Sequence, residues 1–236
     1  MILQDTAQRV ETFGVEGVTS FKIKATAKAF KILSDGLYSD KITAIIRELS
    51  CNAYDAHVEA GTLDKPFQVH LPSPIEPWFA LRDFGTGMSP KVVKNVYTTY
   101  FESPKTDSNE VIGCLGLGSK SPFGYTDQFS VTSFYKGKKY IYNAFINENG
   151  TPDIAEMMVE DTSEPNGVEI HFPVEGNHGD FQRKSAAVYS RFSVTPEFVG
   201  SITAIQLNKP EYVVRNDSFG YRKGNNYGCY AIMGNI

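Results

Sequence analysis

Residues 47–56 read RELSCNAYDA, and these ten positions decide the fold. Around them Ile42, Ile45, Ile46, Leu49 and Ala53 recur at helical spacing, which predicts one amphipathic helix. Ser39 is its expected N-cap, Asp40 falls in its first turn, and Gly61 closes it. Glu48, Asn52 and Asp55 stand at offsets of four and seven, so at about 3.6 residues per turn they return to nearly one face. Two carboxylates and a carboxamide on an otherwise apolar helix offer oxygen donors, the kind Mg²⁺ prefers. One carboxylate could instead activate a water. A solvated polar face with an incidental Asn is the plain alternative.

Upstream, residues 18–24 can be extended, and residues 25–33 are good helix formers stopped near Gly36. Downstream, Phe67, Val69 and Leu71 alternate with Gln68 and His70 as in a half-buried strand. Residues 78–82 form a second strand that ends at Asp83. The sequence Asp83-Phe84-Gly85-Thr86-Gly87-Met88 follows, an acid at a strand end with two glycines that let the backbone approach a ligand. An ionised Asp only accepts hydrogen bonds, so it can read an exocyclic amine such as that of adenine. An Asp-Gly turn between strand and helix is the simpler reading. Residues 102–110 are polar, carry Pro104 and read as a loop.

A third glycine cluster, residues 112–121 (IGCLGLGSKS), superficially matches a dinucleotide fingerprint. Polar loop sequence precedes it and Pro122 follows closely, so the βαβ setting of that fingerprint is missing. It reads better as a glycine hinge whose amides meet phosphate at a short helix start. Lys120 and Lys105 are charge partners for such a phosphate, or else exposed side chains.

Residues 129–135, 139–146, 154–159 and 168–172 are β-rich, with turns near Lys136-Gly137 and at 164–167. They predict an antiparallel meander, and with the helices an α+β sandwich. Residues 181–191 suggest a helix and 227–233 a strand. The expected division is a main domain over 1–175 and an extension over 176–236, either the start of a second domain or a natural C-terminal strand.

The 236 residues are 41% hydrophobic and 21% charged, an ordinary globular composition that excludes disorder. A net charge of −4 excludes a strongly basic nucleic-acid surface and leaves only a local patch open. No apolar run is long enough for a membrane span, and the polar N-terminus is not a secretory signal. Cys51, Cys114 and Cys229 are odd in number and far apart, which argues against a zinc site or a disulfide framework and for a reducing, cytoplasmic setting.

Taken in order, RELSCNAYDA, DFGTGM and GCLGLGSK resemble the three nucleotide motifs of the GHKL ATPase superfamily, named for gyrase, Hsp90, histidine kinases and MutL. The resemblance covers roughly residues 20–174, and RDFGTGMSP with GLGSKSPFGY looks most like the rIIA-type lysis-inhibition proteins of tailed phages. It implies a Bergerat fold, helices packed on one side of a mixed, mostly antiparallel sheet. By similarity Glu48 is the general base for the attacking water, Asn52 holds Mg²⁺, and Asp55 supports that site. Asp83 receives the adenine amine while Gly87 and Met88 shape the base pocket. Gly116, Leu117, Gly118, Ser119 and Lys120 fold over the phosphates, and Lys105 lies in a lid segment similar to that of MutL.

The resemblance implies Mg²⁺-dependent ATP binding and hydrolysis, with lid closure and homodimerisation on ATP. Histidine kinases of the superfamily lack the hydrolytic Glu, so Glu48 favours hydrolysis over phosphotransfer. Two alternatives stand: a nucleotide-gated interaction module with little turnover, and the ATPase part of a gyrase- or MutL-like DNA topology or repair protein. Host or phage protein partners, DNA, and association with a membrane surface are open, in the host cytoplasm if the chain is phage-encoded. One departure is Val168, where the family usually has a Thr whose hydroxyl helps fix the adenine. Losing that bond would cost roughly 0.5–1.5 kcal/mol.

Overall fold

The computed structural model describes residues 17, 19–22, 24–36, 38–101, 116–216 and 219–221. Lys105, the expected loop at 102–110 and the expected strand at 227–233 lie outside these residues. The first helix, α1 (Ala27–Asp35), starts where Thr26 Oγ1 accepts the Ala29 amide at 3.2 Å. The second, α2 (Lys41–Ala60), is capped by Asp40 rather than Ser39. Asp40 wins because its carboxylate takes both the Thr43 amide (3.1 Å) and the Thr43 hydroxyl (2.8 Å). Gly61 ends α2 in the left-handed region at φ 68°, as expected. The described residues of 18–24 lie outside any strand.

Strands β1 (Gln68–His70) and β2 (Trp78–Arg82) form an antiparallel pair. A short helix that the sequence reading missed follows: α3 (Pro90–Val92), prolonged as a π-helical turn over Val93–Tyr97. Its β-branched valines argue against a helix, yet Ser89 caps it and Val93 is buried in the core. A 3₁₀ helix over Gly118–Gly124 leads into β3 (Gln128–Tyr135) and β4 (Lys138–Ile146). Lys136 and Gly137, both at positive φ, make the expected hairpin turn. β5 (Pro152–Asp161), β6 (Gly167–Pro173), α4 (His178–Tyr189) and β7 (Glu197–Val199) follow, then a two-stranded ribbon of β8 (Val214–Arg215) and β9 (Gly220–Tyr221).

The main sheet has seven strands in the order β5-β4-β3-β6-β2-β1-β7, antiparallel except for the β1–β7 pair. Only β3–β5 form the expected meander. After β5 the chain crosses the tip of the β3–β4 hairpin, where the Thr162 amide donates to the Gly137 carbonyl and the Lys136 amide to Asn166 Oδ1. β6 then returns between β3 and β2. That return carries Val168 to Asp83 and so builds the site described below.

One face of the sheet is apolar. Val69, Leu71, Phe79, Leu81, Val131, Ile170 and Phe172 share a buried core with Ile42, Ile45, Ile46 and Leu49 of α2 and Phe181 of α4. The alternation along β2, with Phe79 and Leu81 buried, follows from the two-residue period of a strand. The fold is therefore an α+β two-layer sandwich, as the sequence predicts. Residues 178–199 continue both layers: α4 packs on α2, and β7 extends the sheet beside β1. Among the described residues, no helix is long and apolar enough to cross a membrane.

Candidate functional site

The helix α2 is the spine of the site. Glu48 and Asn52 are half-buried and Asp55 is fully buried on it. Glu48 Oε1 pairs with the Arg47 guanidinium at 3.0 Å. Its other oxygen faces the third motif so closely that a Cβ on Gly118 would lie 2.5 Å from Glu48 Oε2. The second motif reaches the same helix two turns on. A Cβ on Gly85 would lie 2.6 Å from the Ala56 Cβ and 2.7 Å from its carbonyl oxygen. At Gly85 the neighbour is the fixed Ala56 backbone, so only glycine permits that approach; at Gly118 it is the end of the Glu48 side chain. Both glycine motifs thus rest on the helix that carries Glu48, Asn52 and Asp55.

Asp83 sits where β2 ends. Its Oδ1 accepts two main-chain N–H groups, Gly85 at 2.9 Å and Val168 at 3.1 Å. Its own amide donates to the Val168 carbonyl at 2.9 Å. No hydrogen bond from the described residues reaches Oδ2, so one carboxylate oxygen stays available to a donor. Burial pushes the carboxyl up to about 6; the Gly85 and Val168 amides and the Arg82 guanidinium pull it back in part. Gly87, at φ 71°, passes the Phe134 carbonyl, and Met88 is pinned to β3. There Ser133 Oγ accepts the Met88 amide and donates to the Met88 carbonyl, both at 2.8 Å.

Three functional neighbours were not legible as such. His57, which belongs to none of the three motif roles, is 2% exposed. Its Nε2 accepts the Phe84 amide at 2.8 Å and its Nδ1 meets the Thr62 carbonyl at 3.0 Å, so the ring is the neutral Nδ1–H tautomer. It ties α2 to the residue after Asp83. Ser133, directly opposite Val168 in the β3–β6 register, supplies a hydroxyl beside that valine. Arg82 lies beneath the loop with its guanidinium 3.6 Å from the Phe134 ring centre and one nitrogen on the Pro165 carbonyl. The signal for His57 was its place two residues past Asp55 on an amphipathic helix; Ser133 and Arg82 carried none.

Gly116 and Leu117 lead into the 3₁₀ helix, and the Ser119 carbonyl accepts the Tyr97 hydroxyl at 3.1 Å. Lys120 is buried rather than exposed. Its Nζ donates to the Thr99 carbonyl at 3.0 Å and the Gly116 carbonyl at 2.9 Å. Burial pulls the ammonium down to about 8. It lines a cavity of about 390 Å³ to which none of Glu48, Asn52, Asp55 or Asp83 contributes.

Among the described residues, no three His, Cys, Asp or Glu side chains gather as a metal site. A cation at Asn52 would rest on that carboxamide and on oxygens of a bound ligand. No protein-family model matches the chain, and no curated protein matches it.

Proposed function

We propose that the chain is a GHKL-type ATPase, which binds ATP with Mg²⁺ and hydrolyses it to ADP and phosphate. The observation that carries this reading is the seating of both glycine motifs on α2, at Gly118–Glu48 and at Gly85–Ala56. Asp83 Oδ2, which takes no hydrogen bond from the described residues on an otherwise buried side chain, suits the exocyclic amine of adenine. Ser133 Oγ stands next to Val168 and has a lone pair left after its two bonds to Met88.

The donor set fits Mg²⁺. Asn52 offers one half-buried oxygen between Glu48 and Asp55, and this ion commonly keeps few protein ligands and takes the rest from phosphates and water. When bound there it would offset the charge of the phosphates. Glu48 Oε2 takes the proton of the water that attacks the γ-phosphorus, and the bond to the bridging oxygen breaks as ADP leaves. Arg47 on Oε1 and Gly118 beside Oε2 hold that carboxylate in one orientation. The reading gives Lys120 no phosphate role, since its ammonium is engaged with two carbonyls. Homodimerisation on ATP, and a role as a phage rIIA-like protein in a host cytoplasm, are narrower forms of the same proposal.

Turnover assays with the Glu48→Ala variant test it. Binding of ATP is expected to persist within about threefold while hydrolysis drops by two orders of magnitude or more, in the range general-base removal produces. Hydrolysis at the rate of the unaltered protein would remove Glu48 from the mechanism. Loss of binding together with hydrolysis would move it to a binding role.

A further inference from the structure

The cavity beside Lys120 has a chemistry of its own. Its volume of about 390 Å³ lies within the range of small-molecule sites. Phe123 and Phe129 meet edge to face at 4.8 Å in its wall, and Phe145 and Ile154 continue the apolar lining. Lys120 supplies a cation that is 7% exposed. The Tyr97 and Tyr100 rings lie 5.6 and 5.8 Å from its Nζ, within cation–π reach. An ammonium has three donors, and two of these go to neutral carbonyls. No carboxylate among the described residues pairs with it. The one acid in the lining, Asp153, is exposed, and its Oδ2 accepts the Asn147 amide at 2.8 Å. A buried positive charge with a spare donor and no counter-ion among the described residues, beside an aromatic cavity, is costly to maintain.

We infer that this cavity binds a small amphipathic monoanion, its apolar body against Phe123, Phe129 and Ile154 and one anionic oxygen on Lys120 Nζ. The site is separate from the nucleotide position argued above and does not depend on it. Among the described residues, the other titratable groups around Lys120 are the Tyr38, Tyr97 and Tyr100 phenols, all pushed up by burial, and the exposed Asp153. At neutral pH the phenols are uncharged, so among the described residues the lysine is the ionised group on the buried side of the cavity. Affinity for the anion falls as pH rises past about 8, where the free lysine loses its proton.

The test uses the full chain and the fluorescent aromatic sulfonate 8-anilino-1-naphthalenesulfonate. One molecule is expected to bind per chain, to be displaced by decanoate or by 1-naphthoate, and to be unaffected by ATP and by Asp83→Asn. Which of the two carboxylates displaces it better distinguishes an acyl from an aromatic ligand. Lys120→Met is expected to weaken the anion at least tenfold, the loss of one charge-assisted hydrogen bond. Ala144→Leu, which puts side-chain volume into the cavity from β4, is expected to abolish binding with little change in melting temperature. It decides the matter should Lys120→Met fail to fold. Binding that survives both variants, displacement by neither carboxylate, or loss with ATP or Asp83→Asn would overturn the inference.

Discussion

Replacing Asp83 by Asn separates the fold from the chemistry at one atom. The amide keeps an oxygen for the Gly85 and Val168 N–H groups, so the main-chain cradle survives. It puts an NH₂ where Oδ2 stood, a donor facing the adenine amine, which is also a donor. Burial raises this carboxyl from 3.8 to about 6 in the folded protein. The sign follows: below pH 4 the acid is neutral in both states and gives no penalty. As pH rises from about 4 to about 6, the unfolded chain ionises first, and folding loses up to about 3 kcal/mol, a loss complete above that range. Asn never ionises, although its unpaired NH₂ gives back roughly 1–3 kcal/mol. Urea unfolding should therefore show Asp83→Asn at or up to about 2 kcal/mol above the original at pH 7.5. That difference should shrink, or turn against the variant, at pH 4. Calorimetry with ATP should show at least a tenfold loss of affinity. A variant destabilised by more than about 2 kcal/mol at pH 7.5 would refute this account of Asp83 as a carboxylate held against its own ionisation. Unchanged affinity would refute the adenine role.

Further outcomes follow from the same contacts. Gly85→Ala sets a methyl group against the Ala56 backbone, which cannot swing aside; a loss of roughly 3 kcal/mol, about 10 °C in melting temperature, is expected by calorimetric scan. Gly118→Ala meets only the movable end of Glu48, so stability should stay within about 1 kcal/mol while turnover falls at least tenfold. Wild-type turnover in that variant would show that the carboxylate has freedom to spare. His57→Ala removes both a buried acceptor and a buried donor and should cost roughly 2–4 kcal/mol in urea, with His57→Gln recovering part of it. Adenosine affinity should decline as pH falls through about 6, where Asp83 takes up its proton, and a flat profile between pH 5 and 8 would contradict that.

The course of α2 was legible because its apolar positions repeat at 3.6 residues and a glycine ends it. β2 through β6 were legible as strands from alternation and turn chemistry, but their partners were not. A period of two says which face is buried and nothing about which neighbour lies beside it, so β6 was read as the end of a meander rather than an inserted strand. The turn at Val93–Tyr97 was hidden because tertiary burial of Val93 overrides the poor helix propensity of β-branched residues. At the candidate site, residues with a motif around them could be named from the sequence and residues defined only by contact could not. Asp83 has two glycines to mark it, whereas Ser133 gains its meaning from Met88, 45 residues away, and from Val168 opposite it. Lys120 shows the converse. A lysine in a glycine-rich stretch suggests surface or phosphate, yet its ammonium has turned inward onto Thr99 and Gly116.

The eight-residue step from Glu48 to Ala56 acts as a ruler of roughly 12 Å at the rise of an α-helix. Each end of that ruler is touched by a different glycine, so its length is set twice over. Inserting or deleting one residue between those marks would rotate the far end by about 100° and slide it by about 1.5 Å, breaking register at both contacts together. The same edit in the turn beyond Gly61 leaves the ruler whole. Length changes should accordingly be tolerated in the turn beyond Gly61 and excluded within 48–56, whatever the identity of the residue added.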